Sequence, residues 1–552
     1  MRIAILGNYA TQFLCKSLKL AARNYNFKVE WYEADYHSIN LEIVDDKSGL
    51  YSFSPDFIIW HESYLGLRDH FYENSSTEQL IFAHKYIEHF NNLISILSQR
   101  LPDCKILFPL PLNSNDNIFG NYFSKVQHSW GYQSLKLNVQ LLEFSHQNPS
   151  FYLIDSQRHG IDSTTDWSQV VNAELHFTID YLNWLSNNIL GFIASIKGQF
   201  KKCLILDLDN TLWGGIIGDD GLEGIQLGAL GNGKAFSRLQ KWIKQLKNRG
   251  IVLAVCSKNN EETAKLPFLN HPDMHLKLDD IAVFVANWNN KVDNIQTIQK
   301  VLNIGYDSMV FLDDNPAERE IVKQHLTEIN VPELPEDPAD FLPYLIGLNL
   351  FETTSYTEND ANRTIQYQEE AKRVQLADSI TNIDDYLTSL QMVAEVGAFK
   401  PIDYERIAQL TQRSNQFNLR TIRYTSDDIQ KISEDNSHLT VSVHLADKFG
   451  NYGLISVTII KINSQNKAFI DTWIMSCRVL KRTLEAFVLN YLVDKLKQKN
   501  ISVLFGEYLE TPKNKIVSNF YTDMGFSSTK EKNNYKLDIN GFKTLNNKII
   551  SK

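Results

Sequence analysis

The sequence predicts an α/β protein of three domains, two doubly wound parallel sheets followed by a mixed α+β domain, and three observations carry that prediction. Through about residue 345, short continuous apolar runs alternate with helix-period segments, the pattern of parallel strands covered on both faces. Carboxylates, a hydroxyl and a lysine follow closely on the central runs, where ligands of open parallel sheets bind. Beyond about residue 396 the strands lengthen, and a hairpin joins the first two of them.

At 552 residues the chain exceeds what one core can organise. With 43% hydrophobic and 22% charged residues it reads as an ordinary globular protein, and a net charge of -10 argues against nucleic acid as a partner. Cys15, Cys104, Cys203, Cys256 and Cys477 show neither metal nor disulfide spacing, which suits a reducing cytoplasm. No run approaches 18 apolar residues, and the opening MRIAILGNYATQF reads as a first strand rather than a signal peptide. A cytoplasmic protein without membrane or nucleic-acid partners is expected.

In residues 1–198, Arg2–Leu6, the turn Gly7–Thr11, the helix Gln12–Asn24 and the strand Phe27–Tyr32 make a βαβ opening. Strands follow at Phe57–Trp60, Ile106–Pro109 and Phe151–Ile154, with helices near 78–99, 118–147 and 170–196. Residues 199–345 hold strands Cys203–Leu206, Ile251–Cys256 and Met309–Leu312, with helices at 234–249, 261–269, 291–303 and 316–326. A connector, 346–395, follows the proline- and acid-rich VPELPEDPADF, and Asp360, Arg363 and Glu369–Glu370 read as a solvated helix face. In residues 396–552 the helix Asp403–Thr411 and SNQFNL precede strands Leu439–Ala446, Gly453–Ile462 and Ala468–Met475. The helix Leu484–Lys497, the strand Val503–Glu507 and a helix ending NFYTDMGF complete this domain.

The chemistry starts in KKCLILDLDNTLWGGIIGDDG, residues 201–221, where the strand delivers Asp207 and Asp209. Strand alternation puts these two on one side and points Leu208 away unless the turn starts early. Like charges so close are best tolerated when a divalent cation or a proton transfer uses them. Thr211 adds a hydroxyl, and Gly214–Gly215 permit a sharp turn. Alone, Asp-x-Asp-x-Thr also fits a polar strand end capping a helix. Three further stretches favour a site. The second strand delivers Ser257, then Lys258 and Asn259; Lys291 opens a helix in NWNNKVDNI; the third strand ends in Asp313 and Asp314. The insert Trp213–Gly233 is too short for a lid domain, which leaves the site open to a bulky or protein-borne substrate.

The order Asp-x-Asp-x-Thr, Ser, Lys, Asp-Asp resembles the four motifs of the haloacid dehalogenase (HAD) superfamily, and LDLDNTLWGGIIGDDG, VCSKNN and FLDDNPAERE resemble its FkbH-like branch. The resemblance implies a HAD-like Rossmannoid sheet without a large cap. It implies Asp207 as a nucleophile that forms an aspartyl-phosphate and Asp209 as general acid, then base. It places Mg²⁺ on the Asp207 carboxylate, the Asp209 backbone carbonyl and Asp313 with Asp314, and makes Thr211, Ser257 and Lys291 phosphate-binding.

The first domain resembles the SGNH-hydrolase-like domain of FkbH-like proteins. Active SGNH enzymes carry a nucleophilic serine after the first strand; here Gly7-Asn8-Tyr9 stands there, and His61, His128, His159 and His176 would be bases without a nucleophile. A scaffold or docking role is implied. The last domain resembles the GNAT acyltransferase fold, whose coenzyme A turn reads Arg478-Val-Leu-Lys481-Arg482-Thr483 here, with both glycine positions replaced. Arg478, Lys481 and Arg482 are then candidates for engaging a phosphopantetheine arm or an acidic carrier protein. Tyr521 matches a GNAT tyrosine that protonates the leaving thiolate, or is simply a buried aromatic.

FkbH-like enzymes dephosphorylate 1,3-bisphosphoglycerate and load the glyceryl unit onto the phosphopantetheine thiol of an acyl carrier protein for polyketide and related biosynthesis. Leu208 stands where many members have a cysteine, so Cys256 and Cys477 become candidate relay thiols. The expected function is Mg²⁺-dependent phosphate removal from a small phosphorylated acid with acyl transfer to a carrier. A stand-alone phosphatase on a sugar or acyl phosphate and a non-catalytic carrier scaffold are the alternatives.

Overall fold

The computed structural model describes the chain except residues 26, 113–114, 157–163, 355, 357–362, 381, 414–415, 464–466, 477–478 and 532, with backbone alone at 363–364, 371, 374–375, 378–379 and 413. It divides into two compact units, Met1–Ala194 and Ser195–Lys552. No helix among the described residues is long and apolar enough to cross a membrane.

The first unit is built on β1 (Arg2–Gly7), β2 (Glu30–Glu33), β3 (Phe57–His61), β4 (Lys105–Pro109) and β5 (Phe151–Ile154). They pair in the order β2-β1-β3-β4-β5, all parallel. The strand order reverses between β1 and β3, where doubly wound sheets place ligands. The helix expected over 118–147 starts later, at Trp130, because the Ser129 side chain accepts the Tyr132 N–H and caps it there. The helix expected over 170–196 is two, Trp167–Ala173 and Ile179–Ile196, since Glu174 closes the first in a left-handed conformation.

The second unit holds two sheets. In the first, β6 (Cys203–Leu206), β7 (Val252–Ser257), β8 (Ile281–Ala286) and β9 (Met309–Leu312) are parallel in the order β8-β7-β6-β9. The sequence reading named no strand at 281–286, although IAVFVA is as apolar as its neighbours. Side chains alternate between two cores: Leu204, Leu206 and Leu208 in one, Cys203 and Ile205 in the other. Leu206 is level with Val255 and Leu312, so the chain leaves all three strands at one edge.

The second sheet comprises β10 (Met392–Gly397), β11 (Phe417–Asn418), β12 (His438–Asp447), β13 (Gly450–Ile462), β14 (Lys467–Met475), β15 (Val503–Glu507), β16 (Ser527–Ser528), β17 (Asn534–Asp538) and β18 (Ile549–Ser551). Its order is β16-β17-β15-β14-β13-β12-β10-β18, with β14/β15 and β10/β18 parallel. Strand β10 begins inside the stretch expected as a helical connector. The hairpin β12–β13 turns through Lys448 and Phe449, and the helix Leu484–Gln498 makes the crossover from β14 to β15.

The helix Arg363–Ser379 is not the solvated strut expected. Glu370 is buried and paired with Arg482 at 2.5 Å, and Arg373, also buried, grips Asp447 through Nε and Nη2 at 2.7 and 2.8 Å. Tyr367 on the same helix packs into the core under β6 and β7. Asp360 lies outside the described residues, as does the Arg363 side chain.

Candidate active site

Asp207 leaves β6 beside Asp313, which leaves β9. Lys291, first residue of the helix Lys291–Leu302, sends its ammonium between them: 2.5 Å from Asp207 Oδ1, 3.0 Å from Asp313 Oδ2 and 2.9 Å from the Cys256 carbonyl. The helix start is fixed because the Asn290 side chain accepts the Asp293 N–H. Ser257, buried at the tip of β7, has its hydroxyl near enough to Asp207 to favour the charged carboxylate. Burial works to raise the Asp207 carboxyl, while Lys291 opposes it; the net direction is up. Burial alone would lower the Lys291 ammonium, but Asp207 and Asp313 outweigh it and hold it above the ordinary range.

Asp313 is fully buried. Its Oδ1 accepts the Asn315 N–H at 2.8 Å, but no donor is aimed squarely at Oδ2, although Lys291 Nζ lies 3.0 Å away. Burial and the Asp207 charge push its carboxyl up to about 6. Carboxylate oxygens of Asp207, Asp313 and Asp314 lie within 4.8 Å of one another. One ammonium cannot neutralise three carboxylates, and an all-oxygen donor set whose Asp313 Oδ2 has only the shared Lys291 ammonium nearby suits a hard divalent cation.

The Asp209 side chain stands outside this group. Its Oδ1 accepts Trp213 Nε1 at 2.9 Å and the Ile217 N–H at 3.0 Å, and its Oδ2 accepts Asn259 Nδ2 at 3.0 Å. Burial raises its carboxyl against these three donors. Trp213 and Asn259 are site residues to which sequence reasoning gave no role; a donor-bearing side chain four or fifty positions away carries no spacing signal. Arg319 is another. Buried, it donates through Nη1 to the carbonyls of Asp313 at 2.8 Å and Asp314 at 2.7 Å, while Glu333 holds its Nε at 3.0 Å.

Several expected positions are corrected. Thr211 is engaged with Asp314: its hydroxyl donates to Asp314 Oδ1 at 3.3 Å and accepts the Asp314 N–H at 3.1 Å, so it ties the two loops together. Cys256 is wholly buried in the core with its thiol pushed up to about 12 by burial, which makes it inert as a relay. Leu208, by contrast, packs away from Asp207 as strand alternation predicts. Cys477 and Arg478 lie outside the described residues.

In the last sheet, Arg482 is buried against Glu370 and the Tyr452 hydroxyl, out of reach of a docking partner. Lys481 is exposed. Lys481 and Thr483 both adopt φ of +62°, so the turn keeps a glycine-like backbone with side chains on it. Burial raises the Glu485 carboxyl, and the nearby Glu485 and Lys481 backbone N–H groups work against it. Tyr521 is buried and stacked on Tyr535 at 4.9 Å, its hydroxyl unpartnered. Because β13 occupies one edge of β14, β11 must pair on the other, where β15 diverges after Phe469. Asn514 Nδ2 bridges the carbonyls of Asn418 and Leu509 at 2.9 Å and closes that gap.

At the reversal point of the first unit, Tyr9 meets His61 Nδ1 at 2.7 Å, Asn8 Oδ1 accepts the Ser63 N–H at 2.7 Å, and His176 Nδ1 lies 2.8 Å from Ser63 Oγ. This serine–histidine contact was not expected, since Ser63 follows β3 rather than β1. Ser63 is fully buried and caps the helix Tyr64–Glu73. Of the other histidines considered, His159 lies outside the described residues, and His128 packs on Phe119.

Residues 2–194 match the family described as FkbH, N-terminal domain. No curated protein matches the chain. Among solved structures, the N-terminal part of BF1531 from Bacteroides fragilis, containing a phosphatase domain and complexed with Mg, is 47% identical with a TM-score of 0.62. That match covers 64% of this chain and 94% of BF1531's fragment. The ribosomal-protein-S18-alanine N-acetyltransferase of Escherichia coli is 12% identical over 27% of this chain and 94% of its own, with a TM-score of 0.22.

Proposed function

As this chain belongs to the FkbH-like proteins of the HAD superfamily, we propose that it is a Mg²⁺-dependent enzyme that takes phosphate from a small phosphorylated acid and passes the acyl group to a carrier protein. The observation that supports it most is the buried, donor-poor Asp313 Oδ2 beside Asp207 and Lys291. Asp207, Asp313 and Asp314 would hold the cation, which supplies charge neutralisation for the transferring phosphoryl oxygens.

The chain's own groups divide the remaining work. Asp207 attacks phosphorus through a carboxylate oxygen and becomes an aspartyl-phosphate. Lys291 and Ser257 neutralise and orient the phosphoryl oxygens, positioning being most of what phosphoryl transfer needs. Asp209, kept in place by Trp213, Ile217 and Asn259 and raised by burial, gives its proton to the leaving oxygen and then takes one from water. Arg319 and Thr211 position the β9 loop that presents Asp313 and Asp314.

With Cys256 buried and Leu208 turned away, no thiol among the described residues faces the site, so transfer would use an acid with two phosphates: Asp207 takes the phosphate-ester phosphoryl group, and the carrier's thiol attacks the carbonyl of the acyl phosphate, forming the thioester as inorganic phosphate leaves. The same observation favours one second reading, plain hydrolysis of an acyl or sugar phosphate. Intact-mass spectrometry of a pantetheinylated carrier with enzyme, Mg²⁺ and 1,3-bisphosphoglycerate, with phosphate read in parallel, separates them. An acyl adduct on the carrier is expected; phosphate without an adduct would leave hydrolysis, and neither product would remove both.

A further inference from the structure

We infer that Trp288 is a specificity-determining residue of this site, covering an apolar or planar segment of whatever lies beyond the phosphoryl group; the inference rests on the phosphatase chemistry proposed above. Trp288 sits on the turn between β8 and the helix that opens with Lys291. It is 76% exposed, and among the described residues it makes no hydrogen bond or ring contact. A solvent-exposed indole forgoes roughly 2 kcal/mol of burial, and the fold gains nothing from it.

The turn itself is stiff. Asn287 Oδ1 accepts the Asn289 N–H and Asn294 Nδ2, each at 2.9 Å, and the Asn287 N–H reaches the Ser257 carbonyl at 3.2 Å. Three residues on, Lys291 carries its ammonium to Asp207. The turn that carries the indole is therefore fixed beside Ser257 at the tip of β7, three residues before Lys291. A rigid aromatic presents its contact area at little conformational cost. Ile216, 45% exposed and next to the residue whose N–H holds Asp209, adds a second exposed apolar side chain on the loop after β6, and β6 and β8 are the two neighbours of β7. Residues 199–345 contain no inserted lid domain, so the group that packs on Trp288 comes with the substrate or acceptor. For transfer to a carrier, that group is the tether bearing the acceptor thiol.

The test compares two probes with the full-length enzyme and Mg²⁺: p-nitrophenyl phosphate, whose aryl group can lie on an indole, and acetyl phosphate, which has none. In Trp288→Ala the ratio of kcat/KM for aryl over acetyl phosphate should fall about ten-fold, through KM, and Trp288→Phe should restore most of it. A ratio within two-fold of the wild type would overturn the inference, whatever happens to either absolute rate. Absence of phosphate release from both probes in the wild type would instead remove the phosphatase reading, and this inference with it.

Discussion

At the tips of β1 and β3, Tyr9, His61, Ser63, His176 and Asn8 satisfy one another; at the tips of β6 and β9, Asp207 and Asp313 share the ammonium of Lys291 with the Asp314 carboxylate close by. Both clusters stand at the carboxyl edge of a parallel sheet, and both are mostly buried, with Asn8, His176 and Asp314 partly exposed. In the first, donors and acceptors are matched and His61 is kept neutral, its imidazole pushed down to about 3 by burial. In the second, like charges crowd and one oxygen is left without a directed donor. A matched cluster is a finished piece of structure, whereas an unmatched one is stable only with a ligand or at a cost to the fold. Position at a sheet edge is therefore a weaker sign of function than unbalanced charge there.

The sharpest way to break this contrast is at the two hydroxyl or carboxylate nucleophile candidates. Asp207→Asn should lower phosphate release by about three orders of magnitude with an unchanged melting curve. Ser63→Ala should leave phosphate release within two-fold, and no esterase activity on short acyl esters should appear in the wild type. Esterase activity that disappears in Ser63→Ala would show that the first cluster is a site after all.

Next in size is the response to cation. At a hundred times its dissociation constant, Mg²⁺ should stabilise the second unit by about 2.7 kcal/mol, read as a rise in its unfolding transition over an EDTA control. Asp313→Asn should lose that rise, yet be more stable than the wild type in EDTA because a like charge beside Asp207 is gone. A full Mg²⁺ shift in the variant would place the cation elsewhere.

How far the sequence revealed this contrast depended on the kind of signal. Asp207, Ser257, Lys291 and Asp313 were legible because each follows an apolar run or opens a helix, so one dimension of sequence maps onto one edge of a sheet. Asn259, Trp213 and Arg319 were not, because a hydrogen bond to a side chain or carbonyl depends on three-dimensional register alone. Thr211 sat in the right motif, but its hydroxyl is spent on Asp314. Strand β10 was assigned to a connector because its Met-Val-Ala-Glu-Val-Gly pattern is short, and its partner β18 lies at the far end of the chain. Glu370 looked solvated because its partner Arg482 is over a hundred positions away.

Acid separates the two clusters by sign. His61 titrates near 6.5 when unfolded and about 3 when folded, so its contribution is present above pH 6.5 and is lost as pH falls below it, at most about 1.4 kcal/mol per pH unit. Asp313 runs the other way. Raised to about 6, its contribution is present at low pH and is lost as pH rises through about 6. Denaturant titrations in EDTA between pH 4 and 7 should show a flatter acid limb for the first unit in His61→Gln and a flatter rise for the second in Asp313→Asn. Unchanged slopes in both would mean that neither group carries the pH dependence.

The smallest effect belongs to the turn at 481–483. Lys481 alone of its described basic residues is exposed, so Lys481→Glu should weaken binding of an acidic carrier only about two- to five-fold, and less at high salt. Arg482→Glu removes the partner of buried Glu370 and puts a second carboxylate against it, so it should cost about 3–5 kcal/mol of stability instead. The pair of variants separates docking from folding. Calorimetric titration with the carrier at two salt concentrations would measure the first, and a carrier affinity untouched by Lys481→Glu would move the docking surface away from this turn.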